Sequence, residues 1–469
     1  MKPNIAISML DVEDIPNMLN VIKTIQQNNE IKYSFFDYII HFDEMDNRFV
    51  PNEKYDLKYI KTAKNLGFYV DTHLMVENPI GDKYIDDAIN YGCDSITIHY
   101  EIKNFEAVLK SLNNKKINLE KFSNRILTIG VSLKPNTSVD VLLKYSDMFS
   151  KILLMSVEPG FGSQSYINKT DDKVKEAKEK FENHIIQVDG GINDITIRDL
   201  INLSVDSVVV GSYLSKSQNI DKLNSKLLIL NIIKSIESVE KNANISFDSK
   251  LLQIVSGGYG ENDILIGLNV PNNRKLAKLW FKEISINELD FFISSKYHEY
   301  RQFAIFVISN MINMAVKENN IKSIKMIYDF FQKNIQYINN WDLTDEAGPN
   351  ILAPYLLILD ETLQKKELDK YISNENVWVK RIGIVSQLTF VRKNILKLPL
   401  QICDNVLYEQ YHLLQKATGW VLRELYKKEP LEIVDYLKSK YSERKLPNIL
   451  VTYACEKMSN SEKDIIKNL

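Results

Sequence analysis

Eight short runs rich in β-branched and apolar residues, each followed by a stretch long enough for a helix, fill the first ~215 residues of this 469-residue chain. They lie at residues 5–9, 36–42, 68–73, 95–99, 126–132, 152–157, 185–189 and 207–210. Strand-and-helix alternation of this kind predicts a parallel sheet with crossover helices, and eight repeats predict its closure into a (β/α)8 TIM barrel. Chemistry in that fold gathers where the strands end, so the residues closing each run are the ones to read.

After Gly211 the pattern changes. Stretches of helical period at 301–316, 321–335, 350–363 and 412–426 replace the strands, with breaks at Gly257-Gly258-Tyr259-Gly260, Gly348-Pro349 and Pro430. Stacked helical hairpins in an α-solenoid fit this half. The expected fold class is therefore α/β plus all-α, with a barrel over 1–220, a connecting helix over 221–244 and a helical domain over 245–469. A length of 469 residues and 45% apolar composition agree with more than one core. No run approaches the roughly 20 apolar residues that span a bilayer, and the start lacks a signal-peptide pattern. Cys93, Cys403 and Cys455 are scattered, which excludes a CxxC clip and predicts a reduced, cytoplasmic protein without membrane association. Residues 241–469 hold 31 Lys and Arg against 27 Asp and Glu, while residues 1–240 hold 28 against 34. That asymmetry permits a nucleic-acid surface in the second half without requiring one.

Four groups at strand ends stand out in the first half. His41 and Asp43 close the second run, His73 the third and Asp189 the seventh. Alternate residues at a strand top face one mouth, so two imidazoles and two carboxylates can converge on Zn²⁺, Fe²⁺ or Mn²⁺. Two aspartates on opposite faces of a sugar could remove a proton beside a carbonyl and return it from the far side, which is epimerisation. Glycine clusters at Pro159-Gly160-Phe161-Gly162-Ser163, Asp189-Gly190-Gly191 and Gly211-Ser212 follow three successive runs, where backbone N–H groups can approach a phosphate. His99 and His184 read as packing or hydrogen-bonding residues.

These motifs resemble the ribulose-phosphate 3-epimerase family over about residues 3–215. The resemblance rests on His41-Phe42-Asp43-Glu44-Met45-Asp46, Asp71-Thr72-His73-Leu74-Met75-Val76, Met155-Ser156-Val157-Glu158-Pro159-Gly160-Phe161-Gly162 and Val188-Asp189-Gly190-Gly191. It implies one divalent metal ion (Zn, Fe or Mn) on His41, Asp43, His73 and Asp189, with Asp43 and Asp189 as the acid/base pair. It also implies substrate contacts from Ser8 and His73, and an enediolate lined by Met45, Met75 and Met155. Gly160, Phe161, Gly162, Ser163, Gly190, Gly191, Gly211 and Ser212 would hold the phosphate. The implied substrate is D-ribulose 5-phosphate, converted to D-xylulose 5-phosphate; a six-carbon ketose phosphate such as allulose 6-phosphate is the alternative. Association into a homo-oligomer through the barrel is a further expectation. Asn47 and Ser163 stand where the family has glycine, and Met9-Leu10-Asp11-Val12-Glu13 departs from its small-residue stretch.

In the second half, Trp341 and Asp345 are four apart and share a helical face. Arg381 follows Trp378 by three and Arg423 follows Trp420 by three. Aromatics, a carboxylate and arginines on a concave face suit a nucleic-acid backbone around a cationic base, while ordinary core tryptophans with capping charges are the other reading of the same residues. From about Ser256 the chain resembles the AlkD-like DNA alkylation-repair glycosylases of HEAT-like repeats, through Ile266-Gly267-Leu268-Asn269-Val270-Pro271, Asn340-Trp341-Asp342-Leu343-Thr344-Asp345, Asn376-Val377-Trp378-Val379-Lys380-Arg381 and Gly419-Trp420-Val421-Leu422-Arg423-Glu424. The implied activity is excision of N3- and N7-alkylated purines from damaged double-stranded DNA. Asp345 would stabilise the cationic sugar, Trp341 and Trp420 would pack on its deoxyribose, and Arg381 would hold the nearby phosphate. A non-catalytic DNA-binding or protein-interaction module is the alternative for this half.

Overall fold

The computed structural model describes residues 4–27, 37–123, 125–217, 220–239, 241 and 245–467. Two compact units, Met1–Ser238 and Val239–Leu469, divide the chain.

Nine strands form the sheet of the first unit: β1 (Asn4–Ser8), β2 (Asp37–Asp46), β3 (Glu53–Lys54), β4 (Tyr69–Met75), β5 (Ser95–His99), β6 (Thr128–Leu133), β7 (Lys151–Met155), β8 (Ile185–Asp189) and β9 (Ser207–Val210). β1 pairs β2, the order continues through β4 to β9, and β9 returns to β1, every pairing parallel. The result is a closed eight-stranded barrel, with β3 a short antiparallel partner at the tip of β2. Closure leaves no free sheet edge, and the apolar strand residues between barrel and helices are buried almost without exception. Register sets the chemistry: Ser8 pairs His41, Asp43 pairs His73, and Met155 pairs Asp189, so these side chains arrive at adjoining levels of one mouth.

Strand limits differ from the sequence pattern where local apolarity misleads. Ile126 is 76% exposed and precedes β6 rather than opening it. β4 runs on to Met75 because that residue finds a pairing partner in Met45. Residue 36, expected in the second strand, lies outside the described residues. The helix Ile220–Glu237 packs against Ile197–Asn202 and Ile15–Gln27, within the first unit.

The second unit is helical, and its only strand-like feature among the described residues is an isolated bridge between Ile264 and Tyr297. Val270–Trp280 packs on His298–Lys317, Val377–Arg392 on His412–Tyr426, and His412–Tyr426 on Asn448–Ala454. Trp280, Tyr300, Phe292, Phe303, Phe331 and Phe390 fill the core. The expected break at Gly348-Pro349 is not one. Trp341–Ala347 continues through a π-helical turn, Gly348–Leu352, into Ala353–Leu356. Gly348 permits the close approach of a neighbouring helix, since a Cβ there would lie 2.5 Å from Val385 Cγ2 and 2.7 Å from the Ile382 carbonyl oxygen. The expected helix over 350–363 is instead divided before Asp360, which caps Glu361–Ile372 by accepting from Leu363 N. No helix among the described residues is long and apolar enough to cross a membrane.

One buried carboxylate organises the entry to the helical unit. Glu299 accepts from the backbone N–H groups of Ile266, Gly267 and Leu268 at 2.8–3.3 Å, satisfying three donors where the chain turns into Val270–Trp280. Glu299→Ala orphans them, and a denaturant melt is expected to show a loss of about 2–4 kcal/mol from this unit.

Candidate active sites

His41, Asp43 and Met45 alternate along β2 and face the barrel interior, where β4 contributes His73 and β8 contributes Asp189. One ligand atom from each of His41, Asp43, His73 and Asp189 lies within 4.8 Å of the others. Asp43 is the hub: its Oδ1 meets His41 Nε2 at 3.3 Å and His73 Nδ1 at 3.1 Å, and its Oδ2 accepts from Ser8 Oγ at 2.8 Å. His73 Nδ1 lies 4.0 Å from Asp189 Oδ2. The sequence pattern therefore assembles all four groups.

It missed what stands behind them. His41 Nδ1 meets Asp71 Oδ2 at 3.0 Å, and the other Asp71 oxygen accepts from Lys151 Nζ. His73 Nε2 meets His99 Nε2 at 2.9 Å, and His99 Nδ1 meets Glu101 Oε2 at 3.1 Å. So His99, read as a packing or hydrogen-bonding residue, is the latter, and it extends the polar cluster from His73 to Glu101. His184, by contrast, meets the Ser146 carbonyl oxygen at 3.0 Å and packs against Phe149 and Phe181, away from the site. Carboxylates behind imidazoles fix which ring nitrogen is presented forward.

The charge balance tests whether a metal fits. Asp43, Asp71 and Asp189 bring three carboxylates to the interior, and Lys151 brings one ammonium. Burial opposes the charge on Asp43, but His41 and His73 hold its carboxyl far below the usual range. Burial and then Asp43 push Asp189 up to about 7. Against its own burial, His41 is pushed up to about 10 by Asp43 and Asp71. The carboxylates thus crowd negative charge at the centre, which raises His41 and Asp189 alike, and a divalent cation there would offset it. Two imidazoles and two carboxylates are also a suitable donor set for such an ion.

Above the cluster, Met45, Met75 and Met155 line one pocket together with Ser8, Asp43 and Asp189. Every residue assigned to the phosphate also lines it: Gly160, Phe161, Gly162 and Ser163 after β7, Gly190 and Gly191 after β8, and Gly211 and Ser212 after β9. Gly191 has φ +65°, and a Cβ there would stand 2.5 Å from Tyr166 N. Ser163 has φ +62° and Asn47 has φ +54°, so both adopt the left-handed backbone that favours glycine. Asn adopts that conformation readily; Ser163 does so under mild strain. Asp11 and Glu158 line the same pocket and were not assigned from sequence.

The second unit has a cavity of about 1050 Å³ lined by Trp341, Asp345, Arg381 and Trp420, the four residues assigned from sequence. Asn340 caps the Trp341–Ala347 helix by accepting from Trp341 N at 2.8 Å, which places Trp341 at its start and Asp345 one turn later. Arg381 Nε and Nη2 each donate to Asp345 at 2.9 Å, and Nη1 donates to the Leu413 carbonyl oxygen. The guanidinium is 5% exposed as a residue and engaged on Asp345, where the sequence reading had set it on a phosphate. Burial raises the Asp345 pKa despite Arg381. Lys250, Lys416 and Arg423 also line the cavity; Arg423 is paired with Glu424 and Glu456, so the two lysines add positive charge beside the Asp345–Arg381 pair. Beneath it, His298 meets Asp263 at 3.0 Å and Asp342 at 2.8 Å, tying down the first turn of the helix that carries Asp345.

Comparison with known proteins places both halves. The model of the ribulose-phosphate 3-epimerase family matches residues 4–215, and that of the DNA alkylation repair enzymes matches residues 235–458. The ribulose-phosphate 3-epimerase of Aquifex aeolicus is 33% identical over 201 residues, covering 40% of this chain and 82% of its own. That of Escherichia coli K12 is 33% identical over 199 residues, covering 40% and 84%. A solved structure described as a predicted DNA alkylation repair enzyme from Enterococcus faecalis aligns at 17% identity and a TM-score of 0.35, over 48% of this chain and 100% of that one. The chain belongs through its barrel to the ribulose-phosphate 3-epimerase family, and carries behind it a second unit that matches the DNA alkylation repair enzymes.

Proposed function

We propose that the chain joins two enzymes: a metal-dependent epimerase of D-ribulose 5-phosphate and D-xylulose 5-phosphate over residues 1–220, and a glycosylase that excises N3- and N7-alkylated purines over residues 245–469, linked through 221–244. The observation that carries the first half is the convergence of His41, Asp43, His73 and Asp189 within 4.8 Å beneath a glycine-rimmed pocket. These four would hold a divalent Zn, Fe or Mn ion. When bound, such an ion supplies Lewis-acid stabilisation of negative charge on the sugar's carbonyl and neighbouring hydroxyl oxygens.

The protein's own groups divide the proton work. Asp43, kept ionised by two imidazoles, is suited to accept the C3 proton. Asp189, across the pocket from it, is placed to return one from the other face. The reverse direction exchanges their roles. Ser8, donating to Asp43 Oδ2, fixes the direction of that carboxylate. Met45, Met75 and Met155 exclude water around an enediolate with polarizable sulfur. The loops at Gly160 to Ser163, Gly190 and Gly191, and Gly211 and Ser212 offer backbone N–H groups to the phosphate. Barrel-mediated self-association and a cytoplasmic setting belong to the same reading.

Incubation with ribulose 5-phosphate in deuterated water tests it. Deuterium is expected at C3 with xylulose 5-phosphate appearing, both lost on chelation and restored by Zn²⁺, Mn²⁺ or Fe²⁺. Asp189→Asn is expected to lower epimerisation at least about 100-fold. Faster turnover of allulose 6-phosphate would move the assignment to the six-carbon substrate.

For the second half, the paired Asp345 and Arg381 inside a basic, tryptophan-bearing cavity support a role for Asp345 in stabilising the cationic sugar, with Trp341 and Trp420 against it. Release of 7-methylguanine from methylated duplex DNA is expected from the wild-type chain. Asp345→Asn should reduce it at least about 100-fold while duplex binding, read by fluorescence anisotropy, stays within about threefold. A wild-type chain that binds the duplex and releases nothing would favour the non-catalytic module.

A further inference from the structure

The turn after β1 places an acid against the phosphate loop. A Cβ added at Gly162 would fall 2.4 Å from Asp11 Oδ2 and 2.7 Å from Oδ1, so the Asp11 carboxylate lies directly over that glycine. Among the described residues this carboxylate has neither a hydrogen bond nor an ion pair. It lines the substrate pocket and, on its other side, a separate cavity bordered by Glu13, Asp14 and Lys216. The substrate pocket holds four carboxylates, Asp11, Asp43, Glu158 and Asp189, and no lysine or arginine among its described lining residues. Asp43 and Asp189 belong to the cluster at the barrel mouth. Asp11 is the carboxylate packed against Gly162 in the loop assigned to the phosphate, and among the described residues no lysine or arginine forms an ion pair with it.

We propose that Asp11 is an affinity-setting residue that weakens the pocket's hold on a dianionic phosphate. The inference rests on the epimerase reading only in naming the sugar phosphate; its electrostatic content concerns any phosphate at Gly160 to Ser163. A like charge a few ångströms from the bound group, partly screened by solvent at the pocket rim, opposes binding by about 3- to 10-fold. The carboxylate does not touch the cluster at His41, so the change falls on KM rather than kcat.

Asp11→Asn keeps the size and removes the charge; Asp11→Ser removes both, and guards against a packing effect peculiar to one variant. The dissociation constant of inorganic phosphate, measured by calorimetry at pH 8 and low salt, and KM for ribulose 5-phosphate are compared in the full-length chains. Both are expected to fall about 3- to 10-fold in each variant, and the gain should shrink at 0.5 M salt. Equal constants in wild type and variants overturn the proposal. Weaker phosphate binding in Asp11→Asn also overturns it, because Asp11 would then be a contact that helps the ligand. Tighter phosphate binding in the variants, with no turnover of ribulose 5-phosphate by any chain, upholds the role of Asp11 and defeats the epimerase reading instead.

Discussion

Asp43 sits buried between two imidazoles, and the rest of the barrel mouth is arranged around that fact. An ionised carboxylate in so dry a place needs compensation, and His41 on one side and His73 on the other supply it. Each imidazole then needs its own backing. Asp71 stands behind His41 with Lys151 beyond it, and His99 stands behind His73 with Glu101 beyond it. The two chains run from the centre into different walls of the barrel, so the position of Asp43 is fixed from several strands at once. Rigid placement from strands rather than loops is what proton transfer at a single carbon atom requires.

The helical unit solves a related problem with a different device. Asp345 is a half-buried acid, but one arginine grips both its oxygens, and that arginine is anchored in turn by a main-chain carbonyl. His298 holds the adjacent turn through Asp342. One unit thus gathers its acids around a place for a cation, and the other pairs its acid with a cation of its own.

Much of this was legible in the sequence because its signals are local. Short apolar runs rich in β-branched residues mark the strands, and the spacing of His41 and Asp43 by two puts both on one face of β2. The glycine clusters are equally local, although Ser163 and Asn47 adopt a left-handed backbone without being glycine. The less legible parts depend on register and tertiary contact. Lys151 opens a strand that reads as apolar, and only its position across the barrel from Asp71 gives it a partner. His99 looked like any histidine at a strand end until β5 lay beside β4. The Arg381–Asp345 pair spans 36 residues and two helices, beyond any helical spacing rule. Gly348-Pro349 read as a stop because proline removes a helical donor, whereas a π-helical turn absorbs it.

That π-helical turn has a consequence for phase. A π turn carries one residue more than the α turn it replaces, and each residue in an α-helix accounts for about 100° of rotation. Gly348–Leu352 therefore sets the angular offset between the segment bearing Trp341 and Asp345 and the Ala353–Leu356 segment that follows. With that residue removed, a regular helix could not direct Asp345 at Arg381 and also keep the buried faces of Ile351, Leu352 and Leu356 inward. The turn works as a vernier between core and cavity. It lets the lining residues be aimed independently of the packing that holds them.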